Sequence, residues 1–298
     1  DIDSIISSGQ LEQLIEDNSK CSLPQMLSTE RPDKAANHLL SGRVVVIVNG
    51  SPYVLIMPCV FVDFLSSAED PNLKFQYANL LKFVRLVAFF ITLLLPGLYV
   101  AITNFHQEII PTELLFAIVA SRESVPFPII VEILAMEISF ELIREASLRV
   151  PSPIGTTIGI IGALILGQAA VEASIVSPIL IIIVAITGIT SFAIPDFYLS
   201  FHLRIVRFLY IIAGFLAGFL GIGIVLFSHL VLLCSLKSFG VSYLAPFVPA
   251  TSKNNKAYFM PPFWNREKRP DFLNTKRPQK EARISMKWKY KIGGNNGN

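Results

Sequence analysis

The sequence predicts an integral membrane α-helical protein: about four transmembrane helices plus a re-entrant or interfacial helical segment, preceded by the end of a soluble α+β domain. Three observations lead there. Charged residues make up 16% of the 298-residue chain and mean hydropathy is +0.57, whereas a soluble domain carries about 25% charged residues. Apolar runs of about 20 residues, enough to cover a hydrocarbon core, recur after residue 82. Between two of them lies a charged, proline-broken stretch, Phe105 to Pro153.

Residues 1–81 read as the C-terminal part of a cytoplasmic α+β domain. No charged leader precedes the fold, so the chain reads as a fragment or processed form whose beginning is missing. Ser4 to Asn18 is an amphipathic helix, with Ile5, Ile6, Leu11, Leu14 and Ile15 on one side. Asp33 to Leu40 is a short helix ended by Gly42. Val44 to Val48 and Tyr53 to Met57 are β-branched, apolar runs around Asn49-Gly50-Ser51-Pro52. Asn-Gly tolerates positive φ, so the pair predicts a hairpin. Another helix begins near Phe61.

Residues 82–236 form the transmembrane domain. Span 1 is Phe83 to Thr103, guarded by Lys82 and Arg85 and kinked at Pro96-Gly97. Span 2 is Ile154 to Val171 and span 3 is Val176 to Ile194, joined by a connection short enough for a helical hairpin. Span 4, from near Ile205 to near Leu236, exceeds one crossing and is expected to tilt or protrude. Residues 237–298 form a basic cytoplasmic tail with 13 Lys and Arg against 3 Asp and Glu, a composition that also suits anionic lipid. Four spans put the N-terminal domain on the cytoplasmic side too.

The segment 105–153 carries the chemistry. Charges beside membrane spans face protein or a water-filled cavity, and broken helices at that depth need the same surroundings. The carboxylates of Phe127 to Ile143 argue for a re-entrant or interfacial piece rather than a fifth span. Glu137, Glu141 and Glu145 recur at every fourth position; Arg144 and Arg149 follow Glu141 and Glu145 in the favourable order. This is either a self-compensated face turned to water or the lining of an ion path. Glu132 projects with the apolar face, where a carboxylate must find a partner or a proton, so it is the foremost ion or proton site. Gln168 and Glu172 on span 2, and Thr187, Thr190 and Ser191 on span 3, are further ion-path candidates. Gly155, Gly159, Ala163 and Gly167 recur every four residues, and Gly214, Gly218 and Gly221 accompany Ala213 and Ala217 in span 4. Such stripes let helices approach closely, within one subunit or between copies.

Enzyme constellations do not emerge. His106 and Glu108 lack further ligands at metal spacing, and no nucleophile elbow, phosphate loop or dinucleotide fingerprint occurs. Catalytic residues, cofactors and metals are therefore expected to be none. Cys21, Cys59 and Cys234 are odd in number and far apart, and read as packing residues.

Several long runs resemble the A subunits of bacterial spore germinant receptors. They are TERPDKAANHLLSGRVVVIVNGSPYVLIMP (29–58), LPGLYVAITNFHQEIIPTELLFAIVASRESVPFP (95–128), MEISFELIREASLRVPSPIG (136–155), GALILGQAAVEASIVSP (162–178) and LKSFGVSYLAPFVP (236–249). Departures are Ser124 and Ser147, where the family pattern has glycine, and Ser242, where proline is usual. The resemblance implies a multi-pass protein of the spore inner membrane. Its partners would be a transporter-like B subunit, a lipoprotein C subunit, further A subunits and membrane lipid, with no nucleic acid. It further implies nutrient sensing and an oligomeric, nutrient-gated cation channel. A nutrient-binding, transport-like subunit and a non-conducting scaffold are the alternatives.

Overall fold

The computed structural model describes residues 5–150, 159, 162, 165–250, 258–262 and 269–279. It divides into two compact units. The first comprises Asp1–Leu86, Pro195–Leu199 and Leu230–Asn298; the second comprises Val87–Ile194 and Ser200–His229.

The first unit is built on a three-stranded antiparallel sheet in the order β1-β3-β2: β1 Leu27–Thr29, β2 Val44–Ile47 and β3 Val54–Met57. The β2–β3 hairpin pairs Val44 with Met57 and Ile47 with Val54, and Gly50 takes the positive φ that the turn requires. Helix α1 (Ser8–Ile15) is capped by Ser7, whose Oγ accepts from Gln10 N at 3.3 Å. Helix α2 (Pro32–Leu40) starts on proline and ends before Gly42, whose φ is +95°. A single turn, α3 (Phe61–Phe64), follows.

Two buried features fasten this unit. Arg43 and Asp63 pair at 2.7 Å, and Ser238 Oγ donates to Gln25 O at 2.7 Å while accepting from Cys59 N. Burial alone would raise Asp63, but the neighbouring Arg43 guanidinium outweighs it and holds the carboxyl below its usual range. Burial pushes the Cys59 thiol up to about 12, so this cysteine is a packing group. Cys234, by contrast, is exposed. Residues 236–250 are part of this unit: strands β4 (Lys237–Ser238) and β5 (Val241–Ser242) pair, and fully buried Tyr243 donates to Pro24 O at 2.8 Å.

In the second unit, helix α4 (Phe75–Phe105) enters from the first across the unit boundary. It is followed by α5 (Thr112–Arg122), α6 (Ile129–Arg149), α7 (Pro178–Phe192) and α8 (Phe197–Ser235). The prolines at 111, 126, 128 and 178 separate these pieces, since proline cannot donate within a helix interior. Tyr99 and Val100 of α4, Ile133 and Met136 of α6, Leu180 and Val184 of α7 and Ile211 of α8 form one buried cluster.

The expectation of about four transmembrane helices is corrected. Among the described residues two helices are long and apolar enough to cross a membrane, α4 with 31 residues and α8 with 39. The third expected span is α7, which has 15 residues. At 1.5 Å per residue that is about 22 Å, short of a hydrocarbon core of about 30 Å. The second expected span, 154–171, lies mostly outside the described residues; the described part is helical at 165–172.

Helix α8 neither tilts nor protrudes as one rod. Ala217 and Gly218 leave helical geometry, Gly218 at φ +58° and ψ −138°. His202 and His229, 27 residues apart, bring their Nε2 atoms to 3.4 Å, so the helix reverses and its halves run antiparallel. A Cβ on Gly221 would overlap the Ala213 carbonyl. Small residues are what make this turn possible.

Candidate functional site

The second unit holds a seam of charge contributed by α6 and α8 and flanked by α7. Helix α6 supplies Glu137, Glu141 and Arg144 on successive turns. Helix α8 supplies Arg204 and Arg207, three residues apart and thus on one face. Arg207 pairs with Glu137 at 2.6 Å and with Glu141 at 3.2 Å. Arg204 meets Glu141 at 3.2 Å, and Arg144 lies 3.6 Å from the same carboxylate. The Arg207 and Glu137 side chains are 2% and 1% exposed. Arg144 also donates to Ser191 Oγ at 2.7 Å and lies over the Phe192 ring at 4.4 Å. Three guanidiniums thus face two carboxylates, and Glu137 Oε1 and Arg207 Nε are buried without a hydrogen-bond partner among the described residues.

Glu132 lies five residues before Glu137, the first residue of this seam. It is 2% exposed, accepts from Arg122 at 2.9 Å and from Ser177 N at 3.2 Å. Ser177 is the N-cap of α7, so the carboxylate sits where a helix start presents free N–H groups and positive dipole. The buried carboxylate therefore has both a charged and a backbone partner.

The remaining expected residues distribute as follows. Thr187 is fully buried and its Oγ1 donates to Ile183 O; Thr190 accepts from Thr92 at 3.0 Å. Ser191 joins the seam through Arg144. Gln168 and Glu172 are exposed. Glu145 pairs with Arg149 at 2.7 Å on the exposed end of α6, the self-compensated arrangement that sequence allowed. Gly155 and Ala163 lie outside the described residues. A Cβ on Gly159 would come within 2.8 Å of Ser147 Oγ, and one on Gly167 within 3.7 Å of Ile181. Gly214 faces the Gly97 carbonyl, and Gly218 faces Phe105 and His106.

Sequence reasoning passed over Arg122, Arg204 and Arg207. The signal was present in HLRIVRFLY: two arginines one turn apart beside an apolar run must find anionic partners. Starting the span near Ile205 split the pair between loop and membrane and hid it.

Chemically the closed seam pairs both carboxylates and keeps an excess of one guanidinium, and it can offer charged groups to water when its helices part. Among the described residues, no group of three or more His, Cys, Asp or Glu side chains converges as a bound metal would need.

The family described as "Bacillus/Clostridium GerA spore germination protein" matches residues 1–272. The chain is 50% identical over 275 residues to spore germination protein KA of Bacillus subtilis, covering 92% of this chain and 51% of that protein. It is 42% identical over 276 residues to spore germination protein GerLA of Bacillus cereus, covering 92% and 56%. It is 41% identical over 286 residues to YfkQ of Bacillus subtilis, described as a membrane protein, covering 95% and 55%. The chain thus spans about half the length of the curated relatives it matches. No solved structure matches it.

Proposed function

The chain belongs to the GerA spore germination family, and from that premise we propose that it is part of a nutrient-sensing germinant receptor subunit in the spore inner membrane. Its N-terminal domain and C-terminal tail lie on the cytoplasmic side. Its partners are a transporter-like B subunit, a lipoprotein C subunit and further copies of itself. The copies surround an ion path whose opening triggers germination. Glu132, Glu137, Glu141, Gln168, Glu172, Thr187, Thr190 and Ser191 contribute to that path. The stripe at Gly155, Gly159, Ala163 and Gly167 brings copies together, while Gly214, Gly218 and Gly221 pack the reversed α8.

The observation that carries this reading is the buried seam. Five ionisable side chains converge in an apolar unit, Glu137, Arg204 and Arg207 buried and Glu141 and Arg144 half-buried, where charge is costly and ordinarily serves a path or a switch. Glu137 is 1% exposed, its Oε2 is held by Arg207 at 2.6 Å and its Oε1, unpartnered among the described residues, is sealed from water, so an ion cannot reach it while the helices are packed. Conduction therefore requires α6 and α8 to separate, which makes the pair a closure. The same self-pairing favours a second reading, a non-conducting scaffold in which the seam only fastens helices.

Potassium-loaded liposomes holding the full-length protein with its B and C partners separate the two. Nutrient-triggered efflux that changes in Glu137→Gln and Glu141→Gln versions, matched for incorporation, supports the path. Unchanged efflux in both sinks the lining assignment, and absence of efflux from the assembled receptor favours the scaffold.

A further inference from the structure

The first unit contains a cavity of about 880 Å³, bounded by the start of α1, the loop from β1 to α2, the β2–β3 turn and residues 195–198. That volume lies within the range of small-molecule sites, about 300–1,000 Å³. Its wall mixes polar and apolar surface, and its charges are incompletely matched.

Glu12 is the outlier. Its side chain lines the cavity, the residue is only 9% exposed, and its carboxylate has neither hydrogen bond nor ion pair among the described residues. Burial raises it to about 7, and the like charges of Glu16 and Asp196 add to the rise. Asp196, also in the wall, spends Oδ1 on Leu199 N at 2.8 Å. Asp196 has the favourable field of Lys34, whereas Glu12, desolvated beside this second carboxylate and without an ion pair, is unsatisfied. The Lys34 ammonium, also in the wall, has no ion pair or hydrogen bond among the described residues; burial lowers it, and Asp196 is the foremost charge acting the other way. The other cation of the wall, Arg31, is already held by Asp33 at 2.9 Å and Glu69 at 3.5 Å. Ser8 and Ser51, whose hydroxyls meet at 3.0 Å, give the same wall neutral donors and acceptors.

We infer that this cavity binds a zwitterionic small molecule, with its ammonium group against Glu12 and its anionic group against Lys34. A cation at Glu12 supplies the counter-charge that the fold omits, and an anion at Lys34 does the same for that ammonium. Neither group alone answers both vacancies. The cavity exceeds a single small amino acid, so the ligand has the size of a dipeptide or is accompanied by water. The inference is independent of the ion-path reading, because binding is measured without flux.

Calorimetric titration of the purified full-length protein in detergent tests it, with glycylglycine, putrescine, succinate and calcium ion as probes. Glycylglycine is expected to bind, and Glu12→Gln and Lys34→Met are each expected to weaken it at least about tenfold, the usual worth of a charged hydrogen bond. Putrescine should bind more weakly and respond to Glu12→Gln alone; succinate should respond to Lys34→Met alone. Each variant removes a desolvated charge, and a cooperative thermal transition no lower than the parent's certifies its fold. Ser51→Trp, which fills the cavity, should abolish binding without touching either charge. No glycylglycine binding, binding indifferent to both charge variants, or tight calcium binding that glycylglycine does not displace would each overturn the assignment.

Discussion

Removing Arg207 should cost far more than removing the carboxylate it faces. The structure gives the reason. Glu137 has a single cation within ion-pair distance among the described residues, Arg207 at 2.6 Å, whereas Arg207 also holds Glu141 at 3.2 Å. Glu141 in turn keeps Arg204 and Arg144. The Coulomb attraction of one pair at 2.6 Å is about 6 kcal/mol at an effective dielectric of about 20. Desolvation costs several kcal/mol per ion, so the pair is near balance while intact and expensive once half is gone. Arg207→Met strands Glu137 in an apolar unit and should lower stability by about 3–5 kcal/mol. Glu137→Gln leaves Arg207 paired with Glu141 and should cost about 1–2 kcal/mol. The double variant removes the stranded charge and should be more stable than Arg207→Met alone. Denaturant unfolding of the purified protein in detergent, followed by near-ultraviolet circular dichroism, gives all three values. Equal losses in the single variants, or strictly additive losses in the double, would refute the reasoning.

Three further outcomes follow from geometry. A Cβ on Gly97 would lie 2.7 Å from the Tyr210 carbonyl oxygen, so Gly97→Ala should lose about 1–3 kcal/mol in the same unfolding assay. Gly218 has φ +58° and ψ −138°, with Phe105 and His106 beside it; Gly218→Ala should cost about 1–3 kcal/mol, and a crosslink between cysteines placed at 202 and 229 should form less readily. Glu12 sits at about 7 against an ordinary 4.5, raised first by burial and then by Glu16 and Asp196. Its folded value is the higher one, so the stability it contributes is full below about 4.5 and lost as pH rises through about 7. Glu12→Gln should flatten that loss and be the more stable protein at pH 8, by about 1–2 kcal/mol once solvent screening is allowed for.

The local signals in the first unit were legible because they are short-range. Asn49-Gly50 fixed a hairpin and Gly42 ended a helix, each through a positive φ that glycine supplies. Span 1 was readable from length and apolarity alone. Helix α8 was not, because at 39 residues it would run about 58 Å as one rod. Composition gives no reason to choose protrusion over reversal; the choice rests on Ala213, Ala217, Gly218 and Gly221 meeting across the turn, which is a tertiary contact. The same small residues had suggested contact with other helices, and the stripe pattern is identical for both uses. The carboxylates of α6 and their local partners Arg144 and Arg149 were found from spacing, but the partners on α8 were not, since 66 residues separate Glu141 from Arg207. Glu132 was singled out by its apolar surroundings; what it touches, Arg122 and the start of α7, depended on how the proline-broken pieces fold back.

Chemical access to Thr187 during germination tests the ion path most directly. This residue is fully buried in the structure, on the turn of α7 next to the seam. A Thr187→Cys version, with Cys21, Cys59 and Cys234 replaced, would be exposed in spores to a water-soluble thiol reagent with and without nutrient. The path predicts modification only when nutrient is present, with ion release blocked once the thiol has reacted. A thiol that stays unreactive while ions are released, or one that reacts without altering their release, would contradict it.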